Sequence, residues 1–509
     1  MPSDPDQVAG VVAALEDRIA GTVRTDPITR TLYATDASPY QILPAAVVVA
    51  REPDDIAAVI DTCRAHGLPI TARGAGTSLS GQCVGAGLAL DCSHLNRIEH
   101  IEPDRRVARV QPGVTWWQLN EALRDHGLEF GPDPATKRQC TIGGMVATNA
   151  GGTHSVVYGA SVDHVAAAKC VLPDGRVLSL KASPDGSMSS AGATPELAIA
   201  LEGVRSQARP MLGPQFSTLA RRGSGYQMEH LCAPSPNLAK LLAGSDGTLA
   251  LMTSVEVTLD ERPDVRVLGV AGFRDMHAAV AAVPALVATG PSAVELVSSS
   301  LIDMARQVPF HAATVRDIDP SMGSLLYVEY QGSTLAETEA GLDRMDRALD
   351  STGGADYRAR LVDPVACTRM WNVREAGVGA LSAVAGGPLL PQAFVEDTVV
   401  AVDRLPGYIR ELDALFARHG MRVVWYGHAG TGLIHTRPFL DMTSARDLQR
   451  LESLMAEAVD LIRAWGGDLG GEHGDGLARS YWNERLFGPQ MYAQMRAVKS
   501  AFDPLNLLN

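Results

Sequence analysis

Two glycine-rich runs constrain this chain more than any other feature. The first, residues 72–91 (ARGAGTSLSGQCVGAGLALD), holds five glycines and no proline, and a short apolar strand over residues 68–72 is expected to lead into it. The second, residues 131–152 (GPDPATKRQCTIGGMVATNAGG), carries the pairs Gly143-Gly144 and Gly151-Gly152. Glycine is needed where a turn visits positive φ or where a ligand must come close to the backbone. The first run is no Rossmann fingerprint. After Gly74 and Gly76 the third glycine slot is Leu79, and Gly85, Gly87 and a short strand over 88–91 follow, where a dinucleotide fold needs a helix. No Walker A sequence is present. Two readings remain: a nest of successive N–H groups that binds an anion, helped by Arg73, Thr77, Ser78 and Ser80, or a plain surface loop. The second run favours the nest, because two such loops suit a ligand with two phosphates and a long flat body.

At 509 residues the chain is too long for one hydrophobic core, so two or three domains are expected. The longest apolar stretch, about residues 278–288, is interrupted by Pro284 and falls short of the ~20 residues of a membrane span. The N-terminal MPSDPDQVAG has neither a basic nor an apolar region of a signal peptide, so the expected location is cytoplasmic, with peripheral attachment to a membrane left open. A net charge of −14 argues against non-specific nucleic-acid binding. The seven cysteines show no CxxC or iron–sulfur spacing and read as buried thiols in a reducing compartment.

Helix and strand signals alternate. Asp54 and Asp55 are expected to cap a helix whose Ile56, Val59, Ile60 and Cys63 share a face and which Gly67 closes. Thr115-Trp116-Trp117-Gln118 reads as a capping box opening a helix that ends at His126-Gly127. Strands are expected at 107–111, 169–173, 176–180 and 249–259, and Arg262-Pro263 marks a boundary. Beyond it, strands (266–272, 325–330, 421–426) alternate with long helices (277–289, 333–352, 405–420, 443–465), the pattern of an antiparallel sheet with helices on one face in an α+β domain.

Near the C terminus, Gly427-His428-Ala429-Gly430-Thr431-Gly432-Leu433-Ile434-His435 and Gly471-Glu472-His473-Gly474-Asp475-Gly476 bring three of the thirteen histidines into glycine-flanked segments. Two histidines and a carboxylate with an open position suit a catalytic divalent metal, while histidines in such turns also serve as ordinary hydrogen-bonding groups. A separation of seven puts His428 and His435 on opposite faces of a straight strand, so the glycines must bend the chain to bring them together.

The segments PITARGAGTSLSG, VQPGVTWWQLNEAL, GPDPATKRQCTIGGMVATNAGG, YGASVDHV, VLPDGRVL and GSDGTLALMTSVEVTL together resemble the flavin-binding domain of the vanillyl-alcohol oxidase superfamily. Within it the chain is most similar to the D-2-hydroxyacid dehydrogenase branch (D-lactate, glycolate and D-2-hydroxyglutarate dehydrogenases), from about Ala45 to its end. The resemblance implies a two-subdomain FAD-binding domain (residues 41–262) after a helical extension (1–40), then an α+β, ferredoxin-like cap (263–465) and a segment returning to the FAD domain (466–509). It implies FAD on Arg73, Gly74, Ala75, Gly76, Thr77, Ser78 and Gly81, with Pro132, Asp133, Thr136, Ile142, Gly143, Gly144, Asn149, Gly151, Gly159 and Gly247 along the rest of the cofactor. Some relatives link the flavin to a histidine of the first loop; none is present, so FAD is expected to be non-covalent.

The same resemblance carries metal-ligand roles onto His428, His435 and Glu472, for zinc or manganese, the role of base onto His473, and the substrate carboxylate onto Arg374 of the WxxRE segment. Thr431 and Leu433 stand where many relatives have aspartate and asparagine. Without the resemblance, Arg374 reads equally as a helix-surface ion-pair partner. Val378 and residues 386–393 supply no counterpart of the threonine and lysine with which some relatives hold a second carboxylate. The implied reaction is oxidation of a D-2-hydroxy acid, D-2-hydroxyglutarate first, with D-lactate or glycolate as alternatives. A non-catalytic electron-relay flavoprotein would have no use for the histidines, and a zinc hydrolase would leave the glycine runs unexplained. The segments RRGSGY, FVEDT and GEHGDGLARS resemble long bacterial dehydrogenases, implying an electron acceptor such as an iron–sulfur module, on further chain or a separate one, a quinone or an electron-transfer protein. Homo-oligomer formation is left open.

Overall fold

The computed structural model describes residues 4–213, 216, 218–384 and 388–508, without the side chains of 376–384. In the first half a small sheet forms from Thr22–Arg24, Ala46–Val49, Leu88–Asp91 and Ile70–Arg73, in that order, the last three parallel. The N-terminal 40 residues are therefore more than a helical extension, since Thr22–Arg24 completes this sheet. The helix Pro53–His66 covers it with Ile56, Val59, Ile60 and Cys63, and Gly67 ends the helix at φ +68°. Its cap lies two residues earlier than the sequence reading placed it. Pro53 occupies the first turn, Glu52 is the N-cap, and Asp55 accepts from the N–H groups of Arg51 and Glu52. A second, antiparallel sheet runs Ile98–Glu102, Val107–Val110, Leu251–Thr258, Val165–Val171, Val177–Lys181. The expected strand at 169–173 begins earlier and stops at Val171, because Leu172 to Gly175 form the hairpin turn, with Gly175 at φ +90°.

The second half is built on Val265–Phe273, Met276–Val287, Ala293–Ser298, Ser324–Gly332, Leu335–Ser351 and Tyr357–Leu361, a βαββαβ unit. Numbering its strands along the chain, they lie in the ferredoxin-like order 4-1-3-2, and Val423–Gly427 and Leu433–Leu440 extend the sheet. Helices cover both faces of this sheet, not one. Along Val265–Phe273 the odd positions Val267, Ala271 and Phe273 enter one core and the even positions Leu268 and Val270 another. A strand apolar at both parities must be covered on both sides. The second face is covered partly by Pro364–Val384, the helix that carries Trp371 and Arg374. The C-terminal helix Pro489–Phe502 buries Met491, Met495, Val498 and Phe502 in the core of the first half, and Leu508 bridges Ile70 in the first sheet.

A buried ionic relay joins the halves beside the second glycine run. His154 pairs through Nδ1 with Asp133 Oδ2 (2.7 Å) and through Nε2 with Glu329 Oε1 (2.8 Å). Glu329 also accepts from Ser292 Oγ and from the Trp371 indole, both at 2.9 Å. Burial alone would lower the pKa of His154, but Asp133 and Glu329 outweigh it and push it up to about 10. This stabilisation is fully present below the unfolded value of about 6.5 and is lost as pH rises through about 10. His154→Gln is expected to cost roughly 3 kcal/mol at pH 6. In denaturant titrations at pH 6, 8 and 10 its deficit against wild type should shrink with rising pH; a constant deficit would remove the ionic explanation.

Candidate active site

One large cleft, with about 1740 Å³ of empty space when its open mouth is included, runs between the two glycine runs and ends at the histidine segments. It is lined by Arg73, Gly74, Ala75, Gly76, Thr77 and Ser78 of the first run. Asp133, Thr136, Gly143, Gly144 and Gly151 of the second run line it too, as does Gly247. Among the described residues no protein acceptor takes the N–H groups of Ala75, Gly76, Thr77 or Ser78. These free donors are what a phosphate-binding nest requires. The runs touch where a Cβ on Gly74 would lie 2.4 Å from Thr141 Oγ1, and Gly76 adopts φ +69°. Arg73 lies over the Tyr33 ring and donates to the Cys83 carbonyl, bracing the loop from within.

Five residues of the expected cofactor set lie off the cleft lining. Gly81 packs against Tyr40 and Leu477, and the Pro132 carbonyl accepts from the Trp116 indole. Ile142 is buried at the start of the short helix Ile142–Thr148, which interrupts what reads as a loop in the sequence. Asn149 holds Arg222 O and Val162 N, and Gly159 stands against Asp163.

At the far end the chain bends as the spacing of seven demands. Val423–Gly427 and Leu433–Leu440 form a hairpin, with Gly432 at φ +79°, so that His428 leaves the first strand beside His435 on the second. Their Nε2 atoms lie 3.0 and 3.1 Å from Glu472 Oε1, and His473 Nε2 lies 3.4 Å from the same oxygen. Each ring's other nitrogen faces a group that only accepts: Glu295 Oε1 for His428 (2.5 Å), the Glu396 carbonyl for His435 (3.1 Å), and Glu396 Oε1 for His473 (2.7 Å). Protons therefore belong on Nδ1, and neutral rings aim three Nε2 lone pairs at a carboxylate oxygen. Only positive charge, as ring protons or a cation, reconciles them. Burial would lower the pKa values of His428 and His435, but the neighbouring carboxylates outweigh it and raise both. Burial likewise favours a neutral Glu472, yet His428 and Arg221 hold its carboxyl well below the usual range.

Asp397 also falls within ligand distance of His435, Glu472 and His473. Its Oδ2, however, accepts from the backbone N–H groups of Gly471, Glu472 and His473, and its Oδ1 lies on the Nδ1 side of the rings. Its place is to fix the Glu472–His473 turn. Arg374 reaches the cleft from its helix but gives Nε and Nη2 to Glu295 Oε2, both at 3.0 Å. Val378's side chain, Gly386 and Gly387 lie outside the described residues.

A family model for FAD-binding domains matches residues 44–181, and one for the C-terminal domain of FAD-linked oxidases matches residues 262–509. D-2-hydroxyglutarate dehydrogenase of Escherichia coli (strain K12) is 32% identical over 96% of this chain and 50% of its own length. The chain belongs to the FAD-linked oxidases. Glycolate oxidase subunit GlcD of Bacillus subtilis (strain 168) is 27% identical over 94% of the chain and 91% of the relative. p-Cresol methylhydroxylase shares the fold at a TM-score of 0.69 and 15% identity, over 99% of this chain and 95% of its own. This FAD-linked oxidase spans about half the length of the first curated relatives it matches. No described helix is long and apolar enough to cross a membrane.

Glu295 and Arg437 lie in none of the motifs quoted above, and Arg221, Glu396 and Asp397, though inside RRGSGY and FVEDT, are not read from the sequence as site residues. The Glu396-Asp397 pair of FVEDT, acidic inside an apolar strand-like segment, is the one local hint. Asp397→Ala is expected to leave the Glu472 and His473 N–H groups without an acceptor and to cost roughly 2–4 kcal/mol by denaturant unfolding. Asp397→Asn, which keeps an accepting oxygen, should cost less; equal costs would deny the turn-fixing role.

Proposed function

We propose that this chain oxidises a D-2-hydroxy acid, D-2-hydroxyglutarate first among them, to the 2-oxo acid by hydride transfer to non-covalently held FAD. The convergence of three imidazole edges and Glu472 on one point at the end of the cleft carries the reading. FAD, held along both glycine runs, supplies the hydride acceptor. His428, His435 and Glu472 would hold a divalent cation, zinc or manganese, whose chemistry is to withdraw charge from an alcohol oxygen. The donor set fits such a cation, since nitrogen and carboxylate ligands converge with their outer edges already hydrogen-bonded.

The chain's own residues do the rest. His473 takes the hydroxyl proton at Nε2 as the Cα hydride leaves, and Glu396 holds its Nδ1–H so that Nε2 is the accepting edge. His473 is the most exposed of the three rings, with 19% of its side chain accessible against 7% for His428 and 3% for His435. That separates the base, which must meet substrate, from the two buried ligands. Arg374 grips the 1-carboxylate with the guanidinium edge that Glu295 leaves free. Electrons then pass to an acceptor such as an iron–sulfur module, a quinone or an electron-transfer protein.

Anaerobic bleaching of the bound flavin by D-2-hydroxyglutarate, D-malate, D-lactate and glycolate, before and after chelation, tests this. Bleaching by a D-acid that is lost with chelator and restored by zinc or manganese is expected. His428→Ala and Glu472→Ala should lose turnover at least about 10³-fold while keeping the flavin. Flavin that no 2-hydroxy acid reduces would sink the proposal.

A further inference from the structure

The function proposed above places one substrate carboxylate on Arg374, and Val378 and residues 386–393 supply no counterpart of the threonine and lysine with which some relatives hold a second. Among the described residues four arginine and lysine side chains line the cleft: Arg73, Lys137, Arg374 and Arg437. Arg73 is folded into the first glycine loop over Tyr33. Lys137 is paired with Glu375 at 3.3 Å and a third exposed. Arg374 gives two nitrogens to Glu295. Arg437 differs from all three. It lies on Leu433–Leu440 two residues beyond His435, hence on the same face of the strand, and only 11% of its side chain is exposed. Its Nε donates to Tyr426 Oη at 3.1 Å, and its nearest carboxylate oxygen, Glu396 Oε2, stands 3.4 Å from Nη2. Glu396 is already held more closely by Arg479 Nη1, at 2.9 Å on its other oxygen. Among the described residues nothing accepts from Arg437 Nη1.

Tyr426 fixes the relation of the two arginines. Arg374 stacks on its ring, 5.1 Å from the centroid, while Arg437 takes its hydroxyl. Two guanidinium groups thus stand along one tyrosine side chain, both facing the cleft, with the histidine cluster beside them. A guanidinium fork matches a carboxylate with two parallel N–H groups, and its rigid plane is already held in place by Tyr426.

From this we propose that Arg437 is the specificity-determining residue that binds the distal carboxylate of a D-2-hydroxy dicarboxylate, with Arg374 holding the carboxylate next to the reacting carbon. The proposal rests on the function given above. A monocarboxylic acid leaves the Arg437 fork unfilled in a nearly dry wall; a four- or five-carbon diacid fills it.

The experiment compares kcat/KM for D-2-hydroxyglutarate and D-lactate in the flavin-loaded wild type, Arg437→Met and Arg437→Lys. Wild type should prefer the diacid. In Arg437→Met the diacid-to-lactate ratio should fall by about 30-fold or more, chiefly through KM for the diacid. Arg437→Lys keeps the charge and loses the fork, so its ratio should fall by a smaller factor, and it carries the test if the methionine variant does not fold. A ratio unchanged in both variants, with the two substrates damaged equally, would make Arg437 a structural brace of Glu396 and overturn the proposal. A wild type that prefers D-lactate would overturn it while leaving the hydroxyacid dehydrogenase reading intact. A wild-type flavin reduced by neither acid would instead be the failure of that reading.

Discussion

Three imidazole rings whose outer nitrogens are already committed to acceptors can turn only their Nε2 edges inward, and all three meet the same oxygen of Glu472. That constraint organises the second half of the molecule. Glu295 reaches His428 from within the central strand Ala293–Ser298. Glu396 must present its backbone carbonyl to His435 and its carboxylate to His473, and Asp397 must gather the backbone N–H groups that aim Glu472. Each of these acids is fully buried, which is tolerable only because each has charge-assisted partners.

The pairing of charges around this point is nearly complete. Arg221 faces Glu472 at 2.5 Å, Arg374 faces Glu295, and Arg479 faces Glu396, while Asp397 is satisfied largely by backbone N–H groups. Arg437 is left with a longer contact to an acid that Arg479 already neutralises. In a low-dielectric wall, positive charge without a close partner is where an anionic ligand gains most. Arg221 Nε, Glu396 Oε2 and Asp397 Oδ1 also lack a hydrogen-bond partner among the described residues, so what sets Arg437 apart is its place in the cleft wall beside Arg374 together with its loose pairing.

What the sequence revealed and what it withheld follow from the range of the interactions. The glycine runs, the capping box at Thr115 and the bend between His428 and His435 are local, so spacing alone exposes them. The element after Arg262-Pro263 also reads correctly as an antiparallel α+β unit, because its strands and helices alternate in the chain. The supporting acids are different. Glu295 meets His428 across 133 positions, and Arg221 meets Glu472 across 251. No periodicity in one segment signals a partner that arrives from another, and a lone glutamate in an apolar strand gives no sign of what it will face. The two-sided cover of the sheet was readable in principle, since Val267, Leu268, Val270 and Ala271 are apolar at both parities. The helix providing it, Pro364–Val384, is weakly amphipathic with several polar residues, and its pattern does not announce a buried face.

The first glycine run does more than line the cleft. Ser80 Oγ accepts from Arg479, Arg479 holds Glu396, and Glu396 holds the Nδ1 edge of His473; Gln82 donates to the His473 carbonyl at 2.6 Å. The loop that would carry the cofactor's phosphates and the ring that would take the substrate's proton are therefore joined by an unbroken series of hydrogen bonds between residues almost 400 positions apart. Shifting that loop loosens a fully buried arginine and, through it, the carboxylate that fixes the histidine tautomer. Because a base displaced by about 1 Å loses most of its effectiveness, placing the cofactor loop and the base on one rigid network removes the need to align them separately. The C-terminal segment supplies Glu472, His473 and Arg479 to the site and Leu508 to the first sheet. Its return across the first half lets His473 and the first glycine run share these bonds.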